Sequence, residues 1–406
     1  MKLSVPANWD IGLLDELHAF PVIEVYGMLN SSLVGGGRPS IVLPSVSRRC
    51  FTSYVKRVHS LNMEFNYILN APCLNNLEYT YKFKHALIKY LSWMVEVGVD
   101  SITVSIPYLV ELVKRRFPGL KIKISAIAQV DSLRKVKAFE NLGADEIMLV
   151  SSLNRDFSLL ETMQKSTKCK LRLILNDLCL YQCPFMFYHY NVSGHASQNC
   201  SPLKGFYIDY CFLKCHKIKL GSPDEFLKSR WIRPEDLSVY EKLGIDCFKI
   251  SGREKHSAWI LNAVQAYSRR SYDGNLIDLI NCLESYDVSK QKILGSRHIL
   301  DKFKSTIQYL STNKLKTFLQ FAAKLPIGMY RDLFKLCFTG LKFSENIYID
   351  NNKLQGFISY FSDGNCKGDC SACSYCSVWA EKCLSFNKVQ LNNYYELLQN
   401  LTEKAI

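Results

Sequence analysis

The chain has 406 residues, 48% of them apolar and 22% charged, so it has material for a sizeable core and not the composition of a disordered polymer. Lys and Arg outnumber Asp and Glu by 51 to 37, a net charge of +14 that suits an anionic small molecule, RNA or a peptide as substrate, although the basic residues are scattered rather than gathered in one tract. The first ten residues carry no apolar leader and no run of residues is apolar for long enough to cross a bilayer, so a cytoplasmic chain without a membrane span is expected.

In chain order, short runs rich in β-branched residues predict strands at Val22–Tyr26, Glu64–Asn70, Ser101–Ser105, Lys121–Ala126, Glu146–Val150, Lys170–Leu175, Phe226–Ile232 and Cys247–Ile250. Amphipathic stretches lie between several of them. Tyr81–Val97 stops at Gly98 and Ser132–Leu142 stops at Gly143, the residue type that ends helices. Eight strands with helical crossovers point to an α/β protein with a (β/α)₈ TIM-type barrel, a doubly wound open sheet being the alternative. The expected domains are a barrel over 1–275 with a Cys-rich insertion at 179–221, a helical connector over 276–340, and a small C-terminal Cys-rich α+β module over 341–406. Helices are expected from Ser257 to Leu283, at Asp301–Leu310, at Lys314–Leu325 and at Leu391–Lys404, and a hairpin over Ile347–Tyr360 turning at Asn351-Asn352.

Sixteen cysteines in a chain without an export signal point to metal binding rather than a disulfide scaffold. The insertion, read as a long loop, carries Cys179-x3-Cys183 and Cys211-x3-Cys215, with Cys200 between them. Four thiolates there can close around an iron–sulfur cube or a tetrahedral zinc, and Cys73 or Cys200 is an alternative ligand. A second set, Cys366-x3-Cys370-x2-Cys373-x2-Cys376 with Cys383 beyond, has the close single-loop spacing of ferredoxin-type ligation, and zinc is the alternative metal. Its first three cysteines also match the spacing of radical S-adenosylmethionine enzymes, which place it after the first barrel strand instead. Polar residues at predicted strand ends are candidates for chemistry. They include Glu24 and Tyr26, Asn70, Ser105, Asn176, Arg233 with Glu235, and Arg253 in Lys249-Ile250-Ser251-Gly252-Arg253. Arg253 suits a carboxylate or phosphate, and His189 and His195 lie inside the insertion.

The runs Asn176-x2-Cys179-x3-Cys183-Pro184, Trp231-Ile232-Arg233-Pro234-Glu235-Asp236-Leu237 and Phe248-Lys249-Ile250-Ser251-Gly252-Arg253 resemble the U32 peptidase-like family over roughly residues 20–275. The resemblance implies a barrel fold, a four-iron four-sulfur cluster on four cysteines, and oxygen-independent hydroxylation of a small molecule or RNA. The peptidase label belongs to a few collagenase-like members. The family's cysteine near the Glu-Asp-Leu element is replaced here by Ser238, so the ligand set is rebuilt as Cys179, Cys183, Cys211 and Cys215. The expected function is thus an iron–sulfur oxidoreductase, with Arg253, Glu24, Asn176 and His189 as candidate catalytic residues and an electron-transfer or paralogous protein as partner. A peptidase and a non-catalytic RNA- or peptide-binding module are the competing readings.

Overall fold

The computed structural model describes residues 1–201, 209–282, 329–338 and 343–406. Eight parallel strands close into a barrel in sequence order: β1 (Lys2–Pro6), β2 (Val22–Gly27), β3 (Glu64–Leu69), β4 (Ser101–Val104), β5 (Lys121–Ile124), β6 (Glu146–Met148), β7 (Lys170–Ile174) and β8 (Cys247–Lys249). Closure comes from β1 pairing with β8, Leu3 opposite Phe248 and Ser4 opposite Lys249. A helix follows each strand before the next, so this is the (β/α)₈ architecture, with the predicted helix stops in place: Gly98 and Gly143 adopt φ of 91° and 98°, a region costly for any residue with a Cβ.

The strand count rests on two compensating corrections. Lys2–Pro6 is a strand that the pattern did not flag; Leu3 and Val5 pack outward against helices while Ser4 points into the barrel. Phe226–Ile232 is no strand: Glu225–Lys228 is a helical turn, and the rest is an irregular segment with one backbone bond from Ile232 N–H to the Leu175 carbonyl, 2.7 Å. Its apolar residues are buried under the C-terminal module, which mimics the composition of a buried strand.

The barrel interior is unusually polar. Ser4, Glu24, Asn66, Thr103, Lys123, Glu146, Arg172 and Lys249 contribute one side chain from each strand, all lining or tied to one another. Glu24 Oε1 accepts from Ser4 Oγ (2.5 Å), Asn66 Nδ2 (3.2 Å) and Arg172 Nη1 (3.0 Å), and Asn66 Oδ1 accepts from Thr103 Oγ1 (3.0 Å). Lys123 bridges Glu24 and Glu146, and Arg172 pairs with both carboxylates. Glu24, Lys123, Glu146 and Arg172 persist this deep because each has an opposite partner, whereas Lys249 has no carboxylate within salt-bridge distance among the described residues.

The insertion after β7 is not a loop. It forms two helices, Met186–Ser197 and Tyr210–Gly221, and the C-terminal helix Lys388–Glu403 packs on the second, with Lys217 over the Tyr395 ring. The expected hairpin at Ile347–Tyr360 is also absent. β9 (Ile347–Ile349) pairs antiparallel with β10 (Leu384–Phe386), far along the chain, and Asn352–Leu354 forms a 3₁₀ turn. The helix from Ser257 ends at Arg269, earlier than Leu283, which lies outside the described residues with both connector helices, Asp301–Leu310 and Lys314–Leu325. Among the described residues, no helix is long and apolar enough to cross a membrane.

Candidate functional site

Two cavities open at the carboxyl end of the barrel strands, the face on which barrel active sites form. The first sits over the polar interior and is lined by Glu24, Tyr26, Asn70, Lys249, Ser251 and Arg253 among others. The second lies under the insertion and is lined by Cys179, Cys183, Cys211 and Cys215. Arg38, Asp177 and Tyr190 line both, so the two cavities share a wall.

In the first cavity Arg253 is 9% exposed, and its Nη1 is buried without a hydrogen-bond partner among the described residues. Burial draws its pKa down to about 10, which leaves it cationic at neutral pH. Lys249 Nζ stands 3.7 Å from the centroid of the Tyr26 ring, and Tyr26 is itself fixed by donating to the Ile250 carbonyl (2.8 Å). Burial, then the nearby Arg253 cation, lower the Lys249 pKa to about 7. Glu24 forms the floor. Burial pushes its carboxyl up, but Arg172 and Lys123 outweigh it and hold it at about 2. Asn176 is buried just outside the cavity with its amide satisfied: Nδ2 donates to the Ser251 and Leu279 carbonyls (3.0 and 3.1 Å) and Oδ1 accepts from Ser251 N–H (2.8 Å). Its neighbour Asp177, which the sequence reading passed over, faces the cavities instead and accepts from Ser151 Oγ (2.9 Å) and Ser251 Oγ (2.8 Å).

Arg38 was missed as well. It follows Gly35-Gly36-Gly37, and that run was the available signal. At Gly35, with φ of 81°, a Cβ would stand 2.8 Å from the Gly194 carbonyl oxygen, so only a bare backbone there lets the loop turn and deliver the arginine to the mouth. The loop N–H groups are already bonded to Ser32, Ser197 and Asn70, which leaves the guanidinium rather than the backbone to meet a ligand.

In the second cavity the four predicted cysteines are joined by a fifth, Cys282. Cys73 and Cys200 do not line it; Cys73 Sγ instead accepts from Asn75 N–H (3.3 Å), and Cys200 is exposed. Burial, reinforced by Asp177, raises the Cys179 thiol to about 12, and burial also raises Cys183 and Cys211. Lys219 is buried among them and donates to the Leu178 carbonyl (2.6 Å). Burial lowers its pKa, but the facing sulfurs of Cys215, Cys179, Cys282 and Cys183 raise it further than burial lowers it. His189 pairs through Nδ1 with Asp209 on the cavity wall. His195 faces elsewhere, toward Gln198 and Asn75.

Among the described residues, no three His, Cys, Asp or Glu side chains come together tightly enough to grip a single ion. A four-iron cube takes each thiolate at a separate iron and accepts wider spacing than one zinc. Four cysteines lining one cavity, with a buried lysine to offset anionic charge, are the donor set that such a cube takes. Cys179, Cys183, Cys211 and Cys215 would hold it, with Cys282 within the same cavity.

Arg233 and Glu235 do not reach either cavity. Arg233 donates to Asn351 Oδ1 (2.9 Å) and to the Leu354 and Asn351 carbonyls (2.7 and 3.1 Å), and Glu235 accepts from Asn351 Nδ2 (2.9 Å) and Tyr272 N–H (2.7 Å). That element is the joint between barrel and C-terminal module.

The family model for peptidase family U32 matches residues 54–275. A protein of Methanocaldococcus jannaschii described as an uncharacterized protease is 31% identical over 359 residues, covering 86% of each chain. A solved U32 peptidase is 18% identical with a TM-score of 0.48, covering 62% of this chain and 93% of its own.

Proposed function

The chain belongs to peptidase family U32, and on that premise we propose that it is an iron–sulfur enzyme that carries out oxygen-independent hydroxylation, or a related redox modification, of an anionic small molecule, RNA or peptide. The observation that carries this reading is the shared wall: Arg38, Asp177 and Tyr190 border both the arginine-lined mouth and the cysteine-lined cavity, so a substrate held in one lies beside whatever the other holds. When bound on Cys179, Cys183, Cys211 and Cys215, a cluster supplies single electrons or a Lewis-acidic iron.

The side chains then divide the work. Arg253 and Arg38 bind the anionic group, Arg253 through the Nη1 left unpartnered. Lys249, with a pKa near 7, gives or takes a proton at Nζ close to the mouth. Glu24 and Asn176 are positioning residues: the first holds Lys123 and Arg172, the second ties the end of β7 to Ser251. Anaerobically purified protein is expected to be brown, and Cys179→Ser with Cys183→Ser to remove that colour and the iron. Colourless wild-type protein carrying stoichiometric zinc would sink the reading.

A peptidase is the second reading, favoured by the family name and by the His189–Asp209 pair beside Cys183 and Cys211. A cysteine peptidase needs a thiolate, and here burial raises both thiols instead. Peptide hydrolysis by iron-free protein, abolished by Cys211→Ser, would establish this reading over the first.

A further inference from the structure

The second cysteine set has surroundings that the proposed reaction does not use. Cys366, Cys370 and Cys373 lie on the segment leading into the helix Tyr375–Cys383 and Cys376 in its first turn, beside two buried arginines. Arg230 is 6% exposed and donates from Nη2 to Cys366 Sγ (3.5 Å); Arg155 is 3% exposed and is stacked on Trp231, Phe357 and Phe361 at 4.6, 4.8 and 5.1 Å. Neither arginine has a carboxylate partner within salt-bridge distance among the described residues, and the Nε of each is buried without a hydrogen bond. Asp236 acts on Arg155 from beyond salt-bridge distance and is itself paired with Arg233, so among the described residues the buried Arg230 guanidinium is left without a carboxylate, and four neutral thiols do not supply the missing charge. Four thiolates on a metal cluster do.

The same arginine leads to the barrel site. Arg230 lies 4.0 Å over the ring of Tyr181, the middle of the three residues between Cys179 and Cys183. The preceding Ser229 donates to the Cys179 carbonyl (2.7 Å), and a Cβ on Gly368 would come within 3.1 Å of the Tyr181 hydroxyl. Two adjacent residues thus touch the backbone of one cysteine set and a sulfur of the other.

We propose that Cys366, Cys370, Cys373 and Cys376 hold a second four-iron four-sulfur cluster, and that it relays single electrons through the Ser229–Arg230–Tyr181 contact to the cluster on Cys179, Cys183, Cys211 and Cys215. The inference rests on the iron–sulfur reading of the barrel site and adds its electron inlet. One electron leaves a reduced carrier protein of the one-electron class, reduces the C-terminal cluster, and passes on to the barrel cluster, with no bond made or broken.

The experiment compares full-length wild type, Cys179→Ser/Cys183→Ser, Cys370→Ser/Cys373→Ser and Arg230→Gln, all prepared anaerobically. Iron, sulfide and zinc are counted, and electron paramagnetic resonance follows dithionite reduction. Wild type is expected to carry about eight irons and each double variant about four. Reduced wild type should show two mutually broadened signals, each double variant one unbroadened signal. Arg230→Gln should keep its iron and lower the potential of the C-terminal cluster, because a cation that favours the added electron is gone. If wild type holds about four irons, lost only in Cys179→Ser/Cys183→Ser, the barrel reading stands and the relay is refuted. Zinc in the C-terminal set, or two signals with no mutual broadening, also refutes it. Iron lost only in Cys370→Ser/Cys373→Ser instead refutes the barrel site on which the relay depends.

Discussion

Replacing Lys249 with Met tests the electrostatics of the barrel mouth without deleting the side-chain stem. Lys249 has a folded pKa of about 7 against an ordinary 10.5, because burial and Arg253 oppose its charge. That difference corresponds to about 5 kcal/mol of penalty when both folded and unfolded chains carry the proton, below pH 7. Between 7 and 10.5 the unfolded chain binds the proton and the folded chain does not, so the penalty shrinks and stability climbs as pH rises. Lys249→Met is therefore expected to stabilise the fold by about 5 kcal/mol at pH 6 and by about 1 kcal/mol at pH 9.5. Urea unfolding under nitrogen, read by tryptophan fluorescence at both pH values, measures the difference. A variant that is less stable at pH 6, or a gain that does not change with pH, would refute the assignment of Lys249 as a strained cation.

Three further outcomes follow from the same geometry. Arg253→Ala should weaken binding of malonate, a small dicarboxylate probe, at least about tenfold by calorimetry, since a charged hydrogen bond is worth about 1.5–3 kcal/mol, and Arg253→Lys should restore only part of it; unchanged affinity would remove Arg253 from the anion site. Glu24→Gln should cost about 3–5 kcal/mol in thermal unfolding, because Lys123 and Arg172 lose the carboxylate that neutralises them. Asn176→Ala should cost about 2–4 kcal/mol in the same assay by breaking its three hydrogen bonds to Ser251 and Leu279, and a loss under about 1 kcal/mol would show that β7 and Ser251 do not need the tie.

The barrel was legible because most of its strands are buried on both faces and read as short runs of Val, Ile and Leu between amphipathic helices. Lys2–Pro6 was not, since its inward residue is a serine and a proline ends it, while Phe226–Ile232 imitated a strand through burial alone. The insertion helices escaped for a related reason. Met186–Ser197 and Tyr210–Gly221 face a polar cysteine cavity on one side and other elements on the next, so neither shows a clean apolar stripe. The cysteine pairs were legible from spacing. Cys282 was not, since it lies far along the chain in an apolar context and reaches the cavity only because Asn281 N–H bonds the Asn176 carbonyl (2.8 Å). The prominence of Asn176 in the motif was read as catalytic. The structure gives it a fully satisfied amide and hands the cavity-facing position to Asp177, a one-residue difference that spacing does not resolve.

Both cysteine sets share one physical feature that no motif spacing encodes: among the described residues, buried positive charge with no carboxylate within salt-bridge distance, Asp236 reaching Arg155 only from farther off. Lys219 stands among Cys179, Cys183, Cys215 and Cys282 with the Leu178 carbonyl as its hydrogen-bond acceptor, and Arg155 and Arg230 stand beside Cys366 and Cys376 with aromatic rings and carbonyls. In the barrel floor the same chain takes the opposite course and gives Lys123 and Arg172 two glutamates. A protein able to pair its buried cations with carboxylates, yet leaving three of them facing sulfur, gains nothing from that arrangement while the sulfurs stay protonated. It becomes favourable once the thiols lose their protons to metal, which makes metal content and the charge of these three side chains two sides of one equilibrium. Substituting Lys219 with Met should therefore lower iron retention in the barrel site even though Lys219 is not a ligand, and full retention would separate the cation from the metal.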